Sequence, residues 1–197
     1  MSSTLRRGTI YEGRKHAASR TEDFVFNQLI PYIGNKRKLL DLIQQALRPT
    51  GEAHGKVFLD LFAGSGVVSR LAKTLGYRVI ANDWEPYALP IQTCYIGCNR
   101  APAFAAFGGY ENAIEQLNAL PPRVDWITEH LCPRDDEQYD VEKDRMFYMR
   151  KNGMRIDAIR HRIQQWRSRS LISATEEACL LAPLLYHACY ARAVSSS

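Results

Sequence analysis

Residues 57–81 constrain the fold of this chain more than any other stretch. Val57 to Phe62 (VFLDLF) is a short apolar run that ends in a glycine-rich turn, Ala63-Gly64-Ser65-Gly66. Val67, Val68, Leu71, Ala72 and Leu75 follow at helical spacing, and Gly76 closes the pattern. Arg78 to Ala81 (RVIA) is a second short strand, ending in Asn82-Asp83. Parallel strands need a crossover, and a helix packed on the sheet is the short one. The order strand, glycine turn, helix, strand therefore predicts the βαβ unit of an open parallel sheet.

The rest of the chain divides around that unit. Residues 1–25 are polar and basic, without sustained periodicity, and read as an N-terminal arm. Residues 26–105 form the α/β portion. A helix is expected over Leu39, Leu40, Leu42, Ile43, Ala46 and Leu47, with Asn35 as its cap and Pro49 and Gly51 as its stop. Residues 106–197 read as mainly helical. Short helices are expected over Tyr110–Leu120 and Asp125–Leu131, followed by a charged loop over Cys132–Tyr139. A long helix from about Val141 to Arg169, broken near Gly153, carries the stripe Ile156, Ile159, Ile163 and Trp166. Thr175 starts a last helix with Glu176 and Glu177 in its first turn, where they suit the helix dipole.

Composition narrows the function classes. Hydrophobic residues at 46% and charged residues at 24% are globular values. The formal net charge of +5 permits nucleic acid as a partner without requiring it. No apolar run approaches the roughly 18 to 20 residues that a membrane helix needs. The five cysteines, at 94, 98, 132, 179 and 189, are odd in number and irregular in spacing, so they read as free buried thiols in a reducing, cytoplasmic setting. No metal site is expected: Cys94 and Cys98 would need further ligands, and His187 and Cys189 lie far along the chain.

Asp60 sharpens the chemistry of the glycine turn. It stands four residues before Gly64, at the end of the first strand. A dinucleotide would place its pyrophosphate over this turn, and a carboxylate there would repel it. A ligand with an ammonium end would instead be held. S-adenosylmethionine (SAM) has an α-amino group, a sulfonium and no phosphate. Lys36 is the candidate cation for its carboxylate, Asp83 the acceptor for its ribose hydroxyls, and Trp84 a flat face for its adenine. Each residue also has a plainer reading: Asp60 as a helix cap, Asp83 as a turn residue, Phe62 and Trp84 as core aromatics, and Lys36 as a solvated charge beside Arg37 and Lys38.

Three motifs resemble one family. Pro31-Tyr32-Ile33-Gly34-Asn35-Lys36, Asp60-Leu61-Phe62-Ala63-Gly64-Ser65-Gly66 and Asn82-Asp83-Trp84-Glu85 look like the N-terminal, FxGxG and acidic motifs of the adenine-N6 DNA methyltransferases related to the DNA adenine methylase. Asn152 and Arg155-Ile156-Asp157-Ala158-Ile159-Arg160 look like a helical segment of one branch of them. The resemblance implies a Rossmann-like SAM-dependent methyltransferase fold with a mainly helical C-terminal half. It implies that Tyr32 and Lys36 contact the methionine end of SAM and that Asp60 takes its ammonium. Phe62, Gly64, Ser65 and Gly66 would line the cofactor, Asp83 would bind ribose, and Trp84 would pack on adenine. Double-stranded DNA is the implied substrate.

The family's later Asp/Asn-Pro-Pro-Tyr/Phe motif is not in the sequence. Leu120-Pro121-Pro122-Arg123 is the only Pro-Pro pair, with neither the acceptor side chain nor the aromatic. No catalytic residue is therefore assigned. The expectation is a truncated or split methyltransferase with an incomplete sheet, holding SAM without methylating DNA alone, and completed by a C-terminal chain. Arg155, Arg162 and Arg169 fall seven apart on the long helix and would form a phosphate-tracking stripe; a solvated face or pairing with acids from elsewhere is the plainer reading. A methyltransferase of RNA or a small molecule, or a non-catalytic SAM- or DNA-binding subunit, are the other readings of the same residues.

Overall fold

The computed structural model describes residues 24–26, 28–31, 34–48, 51–140 and 142–191, so the expected N-terminal arm lies outside it except for Phe24 and Val25. The elements in order are a 3-10 turn Arg37–Leu39, α1 (Leu40–Leu47), β1 (Val57–Asp60), α2 (Val67–Thr74), β2 (Arg78–Ala81) and α3 (Ala88–Gln92) running into a π turn, Thr93–Gly97. A 3-10 turn at Ala105–Phe107, α4 (Tyr110–Asn118), α5 (Trp126–Leu131), α6 (Arg150–Ser168) and α7 (Ala174–Tyr190) complete them. Among the described residues no helix is long and apolar enough to cross a membrane.

β1 and β2 pair in parallel, with Val57 opposite Arg78 and Asp60 opposite Ala81, and α2 is the crossover. The period of two along each strand sorts the side chains by face. Phe58, Asp60, Val79 and Ala81 are half-buried on the α2 side. Val57, Leu59 and Ile80 face solvent, Leu59 being 54% exposed. β2 is the one neighbour of β1 among the described residues, so the other edge of β1 and one whole face of the sheet are uncovered.

Asn35 is not the N-cap of α1, a position held by Leu39; its Oδ1 accepts from the Arg37 N–H at 2.8 Å and so shapes the entry to the preceding 3-10 turn. α1 then lays Leu40 on Val67 and Leu71 of α2, together with Val25 and Leu29. The helical half has its own core, in which Phe104, Leu117, Ile163, Trp166 and Leu180 are buried together. It is not detached from the βαβ unit, because α7 packs along α3 and the π turn, with Ala182 against Ile91 and Ile30.

Two further expectations are corrected. The long helix begins at Arg150 rather than near Val141, and it runs through Gly153 without a break. The Asp136 carboxylate explains the start, since it accepts from the Lys151 N–H at 3.0 Å and from the Arg150 N–H. Phe147 and Tyr148 are held outside the helix because their N–H groups donate to the Leu131 carbonyl at 3.0 and 3.1 Å. The last helix starts at Ala174, one residue before Thr175. Ser173 and Glu176 form a reciprocal capping box there, and the helix ends at Tyr190.

Candidate functional site

The glycine turn sits where β1 runs into α2, and residues just past β2 hold it in place. Ala63 donates its N–H to the Asn82 carbonyl at 2.9 Å, and Asn82 Nδ2 donates to the Leu61 carbonyl at 3.0 Å. The Gly64 N–H donates to Asp83 Oδ2 at 2.7 Å, and Gln92 Nε2 donates to the Gly64 carbonyl at 3.0 Å. Gly66 begins α2 with φ of 77°, a left-handed value that favours glycine. A Cβ there would also stand 3.2 Å from Gln92 Oε1. Gly64, Ser65 and Gly66 are all buried.

Of the two carboxylates named from the sequence, Asp83 bonds the turn itself and Asp60 bonds the helix that follows it. Asp60 Oδ2 accepts from Ser69 Oγ at 2.6 Å, a side-chain bond rather than a backbone cap. Asp83 Oδ1 accepts from the Glu85 N–H at 3.0 Å, so Asp83 shapes its own turn while its other oxygen fastens Gly64. The core reading of the aromatics fails: Phe62 is 81% exposed and Trp84 is 93% exposed. Lys36 is exposed at the head of the 3-10 turn, with no side-chain partner among the described residues. Tyr32 lies outside the described residues.

This donor and acceptor set discriminates between ligands. The Gly64 N–H, which a phosphate-binding turn would aim at its ligand, is directed at Asp83. Of the two carboxylates that flank the turn, Asp60 suits an ammonium group and disfavours a pyrophosphate, whereas an acid at the end of β2 accepts ribose hydroxyls from either kind of ligand. Two carboxylates and two exposed aromatics beside the turn are compatible with a cationic ligand that lacks phosphate, as SAM is.

Several supports of the site escaped the sequence reading. Arg70 of α2 is 1% exposed, with its guanidinium carbon 3.7 Å from the Tyr95 ring centroid and Nη1 donating to the Phe24 carbonyl at 3.2 Å. Burial lowers its pKa, while Tyr95 works the other way. Lys73 Nζ donates to the Ile96 carbonyl at 2.7 Å and to the Cys98 carbonyl at 3.3 Å, closing the π turn. These two cations lock α2 to the π turn that follows α3, and Gln92, the last residue of α3, locks that helix to the glycine turn. A charged residue on an eight-residue helix reads as solvated from sequence, and only the 46-residue separation between Arg70 and Phe24 reveals otherwise.

A cavity of about 640 Å³ lies elsewhere, lined by Cys94, Tyr95, Phe104, Tyr110, Cys179 and Pro183 among others. No residue of the glycine turn borders it. Cys179 hydrogen-bonds Cys94 there, which holds the Cys94 thiol below its ordinary value and pushes Cys179 up.

The expected arginine stripe divides. Arg155 Nη1 donates to the Leu120 carbonyl at 2.8 Å, and Nη2 donates to the Asn118 carbonyl, so this guanidinium caps the end of α4. Arg162 is half-buried and Arg169 exposed, and neither has an ion-pair partner among the described residues. Arg167 pairs with Glu177 at 3.3 Å. Pro121 and Pro122 lie in the α4–α5 loop, tied to α6 where the Arg123 N–H donates to the Met154 carbonyl at 3.2 Å.

Comparison with known proteins finds type II methyltransferases. The chain is 34% identical over 156 residues to the type II methyltransferase M.NlaIII of Neisseria lactamica, covering 78% of this chain and 43% of that one. It is 33% identical over 161 residues to the type II methyltransferase M.CviAII of Paramecium bursaria Chlorella virus 1, covering 79% and 44%. It is 30% identical over 154 residues to the type II methyltransferase M.FokI of Planomicrobium okeanokoites, covering 78% and 24%. The chain thus spans less than half the length of these curated relatives. No solved structure matches it significantly. Residues 32–194 match the family throughout, and the chain belongs to the D12 class N6 adenine-specific DNA methyltransferases.

Proposed function

We propose that this chain is the SAM-binding portion of an enzyme that transfers methyl from SAM to the N6 amine of adenine in double-stranded DNA. One observation carries the reading: two carboxylates, Asp60 and Asp83, flank a glycine turn whose Gly64 N–H is already engaged. Bound SAM supplies an electrophilic methyl group on its sulfonium. Asp60 holds the ammonium, and Asp83 takes the ribose hydroxyls with its remaining lone pairs. Phe62, Gly64, Ser65 and Gly66 line the cofactor, and Trp84 packs on adenine. Tyr32 and Lys36 serve the methionine carboxylate. Residues 26–105 make up this cofactor portion, and residues 106–197 carry the DNA-facing surface with Arg162 and Arg169. The five free thiols suit a reducing cytoplasm.

The acceptor side of the reaction is assigned to a segment outside these residues. The exocyclic amine of adenine is a poor nucleophile because its lone pair is delocalised into the ring. It must be flipped from the duplex, met by hydrogen-bond acceptors and aligned with methyl and sulfur. An Asp-Pro-Pro-Tyr-type segment supplies those acceptors, and the sequence has none. The uncovered edge of β1 is where such a segment would pair as a further strand, on the same polypeptide or on a complementing one.

Calorimetry on the purified chain tests the reading. SAM is expected to bind, Asp60→Ala to remove that binding, and NAD and ATP to give no heat. Uptake of NAD or ATP with SAM ignored would overturn it. Methyl transfer to DNA is expected only when the missing segment is supplied, and transfer by these 197 residues alone would refute that division of labour.

A further inference from the structure

We infer that Ser69 is a positioning residue that sets the Asp60 carboxylate for its ligand. The inference rests on the cofactor reading above and adds to it a residue that no motif names. Ser69 is the third residue of α2 and is 0% exposed. Its Oγ lies 2.6 Å from Asp60 Oδ2, the length of a charge-assisted O–H···O⁻ bond.

The placement runs against local preference. Serine is a poorer helix former than alanine, and a buried hydroxyl costs free energy unless it is bonded. Val67, Leu71 and Ala72, its neighbours on α2, are buried and apolar. Alanine at 69 would suit both the helix and the packing. The hydroxyl's described partner is Asp60, so the carboxylate is what the serine serves.

The geometry also divides the labour of the two carboxylate oxygens. Oδ2 is tied to a helix whose start is fixed by Gly66 and whose body is fixed by Arg70 and Lys73. Oδ1 has no protein partner among the described residues. Asp60 therefore keeps one rotamer and presents one oxygen, a preorganised acceptor for an ammonium group.

The test compares two thioethers that differ in the amino-acid arm. S-adenosylhomocysteine carries the ammonium and carboxylate, and 5′-methylthioadenosine carries neither. In calorimetry on the full chain, Ser69→Ala should weaken S-adenosylhomocysteine about tenfold, the scale of one hydrogen bond to a charged group. It should leave methylthioadenosine unchanged. In an Asp60→Ala background, where the ammonium site is gone, Ser69→Ala should leave methylthioadenosine binding unchanged. Ser69→Cys, with a weaker donor of similar size, should fall between parent and alanine, and it carries the test if the alanine chain does not fold. Equal weakening of both ligands would reduce Ser69 to a packing residue and overturn the inference, as would no weakening at all. If the unsubstituted chain binds methylthioadenosine and S-adenosylhomocysteine equally, Asp60 holds no ammonium and the inference falls while an adenosine site stands. If it binds neither, the cofactor reading itself fails and takes this inference with it.

Discussion

The Asp157 carboxylate on α6 caps the start of α5 at Thr128, accepting from its N–H at 2.8 Å and from its Oγ1 at 2.7 Å. The Ile127 N–H donates to Oδ1 at 3.1 Å and the Asp125 N–H to Oδ2 at 3.2 Å. α5 has six residues, too few to persist alone. Its first turn is completed by a side chain 29 positions further along the sequence. Asp157→Ala should lower stability by about 3 kcal/mol, because it strips the acceptors from several buried donors at once. Asp157→Asn, which keeps one acceptor oxygen, should cost roughly half of that. Urea unfolding reads both, and an alanine chain as stable as the parent would disprove the cap.

The same helix pair meets at Gly153. A Cβ there would stand 2.3 Å from Cys132 Sγ and 3.4 Å from the Thr128 Cα. Alanine gains about 1 kcal/mol over glycine inside a helix, and overpacking costs about 1–3 kcal/mol. Gly153→Ala should therefore be net destabilising. Cys132→Ala combined with it should recover stability, since the sulfur is then gone and the helical gain remains. Thermal melts of both chains decide this, and a single variant more stable than the parent would show that the crossing is not tight.

The arginines of α6 should separate by assay. Arg155→Ala should cost about 1–3 kcal/mol of stability, because the Leu120 and Asn118 carbonyls lose a charged donor. Arg162→Ala and Arg169→Ala should leave stability nearly unchanged. Each should instead weaken binding to every DNA sequence and reduce the salt slope by about one. Filter binding at several salt concentrations checks the slope, and an unaltered slope would remove the helix from the DNA interface.

Tyr95 should give the chain an alkaline dependence. Its phenol is pushed up from 10.0 to about 12, first by burial and then by Cys94, with Arg70 opposing. The folded chain then holds the proton more tightly than the unfolded chain. Stability is therefore fully present below about 10 and falls as pH rises towards about 12. Tyr95→Phe should flatten that decline relative to the parent, although it also loses the hydroxyl bond to Gln28. Parallel declines in the two chains would assign the dependence to other groups.

The βαβ unit was legible because its signals are local. Periodicity, a glycine turn and an acid at each strand end all fall within residues 57–83. The positions of Asp60 and Asp83 at the strand ends are legible for the same reason. The contacts that brace the glycine turn and α2 are not, because they meet across distance in sequence: Gln92 reaches Gly64 over 28 positions and Arg70 reaches Phe24 over 46. The spacing groups Arg155 with Arg162 and Arg169, and it does not reveal that the Arg155 guanidinium donates to carbonyls 35 and 37 positions back. The start of α6 was misread because Asp136, which caps it, stands 14 positions earlier in a loop.

The bare face of the small sheet makes the stability of this chain depend on its company. Anything that covers Leu59 and Ile80 in the folded chain, without binding the unfolded one, stabilises it in proportion to the logarithm of its concentration. At a hundredfold excess over the dissociation constant that amounts to about 2.7 kcal/mol. A melting temperature taken on the dilute, solitary chain is therefore a floor, and titrating in whatever seats against those side chains will raise it.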